Sequence, residues 1–304
     1  ADVRTGGLST VLETAPNGTQ TSTLRTFNSL ANMLVPCARS AHQCGPLFRL
    51  AAPPRGPAPQ GTLAAVADIA RNPAHNVRGL FALARSAPAA YRPALGPSGQ
   101  PDAWILALRF DGARPDAQRP RQQRDRRAGN VWVISNDTYS PDPRAAVCAG
   151  QLLFKFTPAG PSGSLTSTGQ GSVTFISSNG ATTRQFTGGG LTTPWGIAVD
   201  GNDNVWVSNF GGMRVSEMCG IEPANCPPGA RTGQPISPAT GYGFDGLTRD
   251  TSLQIDPSGN VWITNNWKTF PLLRDNPGGY QMVVYIGVAG PLKTPLIGPP
   301  TPLS

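Results

Sequence analysis

"DGNDNVWVSNF", residues 200–210, is a turn of Asp, Asn and Gly that runs straight into Val-Trp-Val. The pattern returns as "DPSGNVWITNN" at 256–266 and, without a leading Asp, as "RRAGNVWVISN" at 126–136. A polar turn that feeds Asn-Val-Trp three times is an internal repeat, and a repeat constrains architecture before local propensity does. Asp and Asn suit the turn because their side chains bond nearby backbone amides and tolerate left-handed geometry. The apolar residues after it read as strand, with a Trp large enough to fill the space between packed sheets. Residues 188–218 accordingly read as three strands, at 196–199, 204–208 and 214–218. Asn130 and Trp132, Asp200 with Asn204 and Trp206, and Asp256 with Asn260 and Trp262 are expected to occupy equivalent positions, with each Trp buried.

Working outward from the repeat, the N-terminal third is different. Residues 1–22 are rich in Thr, Gly and Asn, read as extended, and contain the glycosylation-acceptor pattern Asn17-Gly-Thr19. From Thr23, apolar Leu24, Phe27, Leu30, Ala31 and Leu34 recur at helical spacing, with Ser22 or Thr23 as cap and Pro36 as stop. "AAPPRGPAPQ", 51–60, is a linker-like loop. Thr62 opens a short helix to Ala70, Asn72-Pro73 breaks it, and a further helix runs from about Ala74 to Arg85. These helices form a small helical subdomain, placed at 23–95. After Trp104 the runs "AWILALRF", "QLLFKFTP" and "GSVTFISSNG" are strand-like.

Composition agrees with a β-rich chain. Gly (36) and Pro (32) are abundant in 304 residues and only 14% of residues are charged, as short strands joined by many turns require. No apolar run is long enough to span a membrane. The formal charge of +8 is concentrated: residues 109–127 hold seven Arg and three Asp. No aromatic platform follows Phe110 in that stretch, which argues against nucleic acid as a partner. The stretch 113–127 reads either as a solvated basic loop or as a frame-shifted or misassigned segment. Among five cysteines, Cys37/Cys44 and Cys219/Cys226 each enclose six residues. Two local disulfides in an oxidising compartment are expected, with Cys148 left over. The sequence opens on "ADVRTGG" without Met, as a processed N-terminus would. A secreted or cell-surface location follows as an expectation.

The stretch Leu191, Pro194, Gly196, Ile197, Ala198, Val199, Asp200, Asn204, Val205, Trp206 and Asn209 resembles the NHL repeat of β-propellers. Leu253, Ile255, Asp256, Gly259, Asn260, Val261, Trp262 and Asn265 repeat it. The chain is similar to bacterial secreted NHL-repeat proteins grouped with the virginiamycin B lyase-like propellers. "TFNSLANMLVPC" (26–37) and "VAGPLKTPLIGPP" (288–300) also look like segments flanking such propellers. The resemblance implies a mainly β fold, with an NHL-type propeller over 96–290 and a Pro-rich tail at 291–304. Two departures stand out. The spacing is uneven, 74 residues from Asn130 to Asn204 and 56 from Asn204 to Asn260, so the region fits four or five blades where the family has six. The repeat at Asn130 also lacks its first strand.

Lyases of this fold resemble one another in using His and carboxylates around a divalent metal near the central channel. Here the two histidines, His42 and His75, both precede the propeller region. Asp200, Asp245 and Asp256 remain, each in a turn context. A metal at His42 between Cys37 and Cys44 is the other conceivable site. No phosphate loop, nucleophile elbow or zinc-protease motif is present. Catalytic residues are therefore unassigned and no cofactor or metal is expected. The sequence reads as a non-catalytic extracellular propeller that binds or self-assembles through its N- and C-terminal segments, as a homo-oligomer or filament. The alternative is a metal-dependent enzyme of the virginiamycin B lyase or lactonase type, in which case a divalent metal would be required.

Overall fold

The computed structural model describes residues 7–111, 131–134, 152–157, 160–166, 171–177, 182–265, 267–269, 271, 273–279 and 281–292. Asn130, Cys148 and 113–127 lie outside these residues, as does the side chain of Trp132. The chain begins with a single helical turn, α1 (Thr10–Glu13). Leu12 is buried by that turn, so residues 10–13 are helical where the sequence reads as extended. Helix α2 (Thr23–Arg39) runs past Pro36. The proline sits in the last turn, where the Ser40 amide still closes on its carbonyl at 3.1 Å, so it does not stop the helix. Next come α3 (Gly45–Ala51), α4 (Thr62–Arg71) and α5 (Val77–Ala84). Their apolar faces bury Met33, Leu47, Ile69, Leu80 and Phe81 around Trp104. Trp104 donates its backbone N–H to Pro73 at 2.8 Å, while its neighbours Ala103 and Ile105 belong to the sheet core. Residues 103–105 thus stitch the helical and β regions together.

The strands of the rest of the described chain pair antiparallel. Strands β1 (Ala107–Asp111), β2 (Val131–Ile134), β3 (Leu152–Thr157), β4 (Gly160–Thr166), β5 (Val173–Ile176) and β6 (Thr183–Phe186) come first. They are followed by β7 (Pro194–Val199), β8 (Val205–Asn209), β9 (Arg214–Met218), β10 (Tyr242–Gly243), β11 (Ser252–Ile255), β12 (Val261–Asn265) and β13 (Gln281–Tyr285). They assemble as two four-stranded sheets, β10-β9-β8-β7 and β1-β13-β12-β11, a three-stranded sheet β2-β5-β6 and a hairpin β3-β4. β7 packs beside both β11 and β2, so the larger sheets stand side by side through their first strands. The core between them holds Trp206, Val215, Tyr242, Leu253, Val283 and Tyr285.

The outermost strand of the last sheet is non-local: β1 pairs with β13 from Ala107↔Tyr285 to Asp111↔Gln281. Its free edge is covered by side chains. Asn17 donates to the Arg109 carbonyl at 3.0 Å and accepts its amide at 2.8 Å, and Thr23 donates to the Ala107 carbonyl at 2.7 Å. Satisfied edge groups cannot template another strand. Asn17, in the acceptor pattern, is 1% exposed and its side-chain amide is committed to this edge.

Cys37–Cys44 and Cys219–Cys226 are both bonded. Arg55 holds the second loop from the helical side, donating to the carbonyls of Pro223 at 3.2 Å, Ala224 at 2.9 Å and Pro227 at 3.2 Å. A Cys219→Ala/Cys226→Ala variant should lose about 2–3 kcal/mol, because so short a loop restricts the unfolded chain modestly. An unchanged urea midpoint would contradict this. Among the described residues no helix is long and apolar enough to cross a membrane.

Candidate functional site

The repeated Asp and Trp are joined by hydrogen bonds. Asp200 Oδ1 accepts the amides of Asn202 and Asn204, both at 2.9 Å; its Oδ2 accepts the Trp206 indole N–H at 3.1 Å and the Gly290 amide at 2.8 Å. Asp256 does the same. Its Oδ1 accepts Ser258 at 2.8 Å and Asn260 at 3.0 Å, and its Oδ2 accepts the Trp262 indole at 3.0 Å and Asn260 Nδ2 at 2.8 Å. One carboxylate therefore closes the turn and fixes the Trp six residues later. Asn209 and Asn265 form a second repeated device at the other strand end, accepting the amides of Thr192 at 2.9 Å and Thr248 at 3.2 Å. The Trp positions are equivalent but not equally covered. Trp206 is fully buried against Tyr242 (5.8 Å between centroids), whereas Trp262 is half-buried, stacked at 6.3 Å on Phe110 of the outer strand β1. The expectation of a buried Trp262 is corrected by that position: on the outer sheet the ring stacks on Phe110 of β1 and stays half-buried.

Residues beyond Tyr285 lace the two turns together. Gly287 N donates to Asn260 Oδ1 at 2.8 Å, Ala289 N to the Gly259 carbonyl at 3.0 Å, and Gly201 N to the Gly290 carbonyl at 2.9 Å. The chain thus leaves the described fold at the Asp200 end of β7.

Beside the Asp200 turn lies a cavity of about 360 Å³ between the helices and the sheets, lined among others by Arg55, Asp68, Arg71, Asp200, Asn204 and Glu217. Glu217, on β9, was not singled out from the sequence. It accepts the Tyr242 hydroxyl at 2.8 Å and, at 3.5 Å, the Asn204 amide. Burial, then repulsion from Asp200, pushes the Glu217 carboxyl well above the usual range. Burial also raises Asp200, against the opposing pull of its four hydrogen bonds. Tyr242 is raised well above the usual phenol value by burial and by Glu217. The cavity floor therefore carries a carboxyl that burial holds well above its ordinary value, beside a carboxyl with four hydrogen bonds. The signal in the sequence is a Glu inside "RVSEM", an acidic residue in a strand buried on both faces.

The other acidic residues have other fates. Asp256 is held below the ordinary carboxyl value, because its hydrogen bonds to Trp262, Asn260 and Ser258 outweigh burial. Asp245 is tied to Ser22, accepting both N and Oγ at 3.0 Å. Asp250, at the position Pro194 holds in the other repeat, is fully buried, and among the described residues neither carboxylate oxygen has a hydrogen-bond partner. Burial raises it well above its ordinary value; the Thr248 amide offsets this only in part, since it donates to Asn265. The His42 site is not formed, since Cys37 and Cys44 are bonded to each other. Among the described residues no three His, Cys, Asp or Glu converge as a metal would require.

At the opposite end of β7 an aromatic shelf is exposed. Trp195 lies 4.9 Å from Phe210 and 6.3 Å from Trp267, and Phe210 meets Trp267 edge-on at 5.5 Å. The Arg249 guanidinium backs Phe210 at 5.2 Å, and Trp267 is 42% exposed. The ends of three different strands supply these residues, so the sequence does not juxtapose them.

No family model and no curated protein sequence matches the chain. Among solved structures it is similar to a protein provisionally described as a gluconolactonase. That likeness has 15% identity and a TM-score of 0.26, over 55% of this chain and 58% of the other. The chain thus spans 58% of the length of the structure it matches. At that level the likeness assigns neither activity nor site residues.

Proposed function

We propose that the chain is an NHL-type β-propeller of the extracellular space that binds and self-associates and does not catalyse. The four-stranded sheets are its blades, and β1 completes the last blade from the N-terminal side. One observation carries the reading: the repeat carboxylates Asp200 and Asp256 are spent on their own turns, each oxygen accepting two N–H groups. A base so fully committed has little capacity to take a proton from a substrate. Two disulfides support the extracellular placement. The purified protein is expected to show no turnover in a broad ester, lactone and lyase screen, with or without added Mg²⁺, Mn²⁺ or Zn²⁺. Its mass by light scattering should rise with concentration. A monomer at every concentration would remove self-association.

A second reading, a lyase- or lactonase-like enzyme, is favoured by Glu217 and Asp200 at the cavity floor, two carboxyl groups whose environments push them apart. The divalent metal such an enzyme would use does not fit the donor set of the described residues. Turnover in the same screen that Glu217→Gln abolishes, in a variant that keeps its fold, would establish this reading in place of the first.

A further inference from the structure

The aromatic shelf and the departing chain lie at opposite ends of β7. We propose that the shelf of Trp195, Phe210 and Trp267 receives the Pro-rich segment 293–304 of a second copy, joining molecules head to tail. This rests on the self-association proposed above and names its surfaces.

The shelf is built to present rings. Thr193 holds φ 49° and Met213 φ 52°, left-handed values that a β-branched Thr rarely adopts. The two loops are pinned across each other, Phe210 N donating to the Thr193 carbonyl at 2.9 Å and Gly211 N to that of Thr192 at 3.4 Å. Strain held in this way sets Trp195 beside Phe210. Phe210 and Trp267 stand at 84° to one another in edge-to-face contact, and Trp267 keeps 42% of its surface exposed. Arg249 closes the other side of Phe210.

The occupant is argued from the chain itself. Residues 291–304 contain five prolines, and Pro299-Pro300-Thr301-Pro302 has a proline at each end of a four-residue step. Proline fixes φ near −65°, so a peptide of this sequence is biased to the polyproline II helix, which docks into aromatic-lined grooves at low entropic cost. Twelve residues lie beyond Leu292, a reach of about 37 Å at ~3.1 Å per residue. They depart at the Asp200 end, where Gly290 is tied to Asp200 and Gly201. A tail at one end and its receptor at the other make a heterologous contact, which propagates instead of closing.

The test uses the full chain, a variant lacking 293–304, Trp267→Ala, and a tail double variant Pro299→Ala/Pro302→Ala, which leaves the folded body untouched. The intact protein should grow in mass with concentration, and the other three should remain near monomer mass. A synthetic peptide of residues 291–304 should shift the Trp fluorescence of the tail-less protein saturably. The Pro→Ala peptide, or the Trp267→Ala protein with an unchanged circular dichroism spectrum, should bind at least about tenfold more weakly. Growth in mass that persists without the tail overturns this inference and leaves self-association standing. A constant monomer mass overturns both. A monomer whose Trp267 becomes more accessible to acrylamide on tail removal shows the tail on its own shelf, which also overturns it.

Discussion

Trp206→Ala is expected to destabilise the protein by about 3–5 kcal/mol, the range for deleting a large buried ring. In a chain of this size that lowers Tm by on the order of 10 °C. Trp206 is 0% exposed, stacks on Tyr242 and donates its indole N–H to Asp200. Removing it leaves a cavity where two sheets meet and takes a donor from a buried carboxylate. Trp206→Phe separates these contributions: it retains most of the volume but not the N–H, and should cost about 1–3 kcal/mol. Trp262→Ala should cost about half as much as Trp206→Ala, because Trp262 is half-buried and burial scales with area. Thermal unfolding followed by circular dichroism ranks the three. Equal losses at 206 and 262 would mean that the covering of the ring does not set its contribution.

The repeat was the most legible part of the chain because its signals are local. Turn residues and apolar alternation placed the strands now seen as β7, β8 and β9 within two residues of their ends. What escaped was non-local or depended on context. Pro36 reads as a stop, yet a proline in the final turn forfeits little, and the helix α3 opening at Gly45-Pro46 is not assigned from the sequence, although proline suits a first helical turn. The pairing of β1 with β13 joins residues at least 170 positions apart, which no window of sequence reveals. Asp200 was legible as a turn residue, but its bond to the indole was not, since a spacing of six says nothing about where a side chain turns. Glu217 meets Tyr242 only because β10 returns beside β9. The aromatic shelf needs the ends of three strands to coincide. Its nearest signal is the strand-end placement of Trp195, Phe210 and Trp267, each one or two positions from a strand terminus.

Glu217→Gln should change how stability depends on pH. The ordinary carboxyl value is 4.5, and in the fold Glu217 titrates well above it. Below 4.5 folded and unfolded chains both carry the proton and the group contributes no slope. As pH rises past that value the unfolded chain releases its proton while the folded chain keeps it. Folding then takes up a proton, and stability falls by about 1.4 kcal/mol per pH unit until the folded group also ionises. Gln carries no charge at any pH and its Oε1 can still accept the Tyr242 hydroxyl, so the variant should lose this slope. It should match wild type near pH 4 and exceed it at neutral pH. Asp250 is raised for the same primary reason, burial, and Asp200 is raised too, so the wild-type slope is a sum of which Glu217→Gln removes one part. Asp256 works in the opposite sense: held below 3.8, it contributes stability that is lost only as pH falls through its folded value. Urea midpoints at pH 4, 5.5 and 7 for wild type, Glu217→Gln and Asp250→Asn separate these contributions. If Glu217→Gln differs from wild type by the same amount at all three, the carboxyl titrates in the fold as it does in the unfolded chain. Burial beside Asp200 would then not raise Glu217, against the direction its surroundings impose.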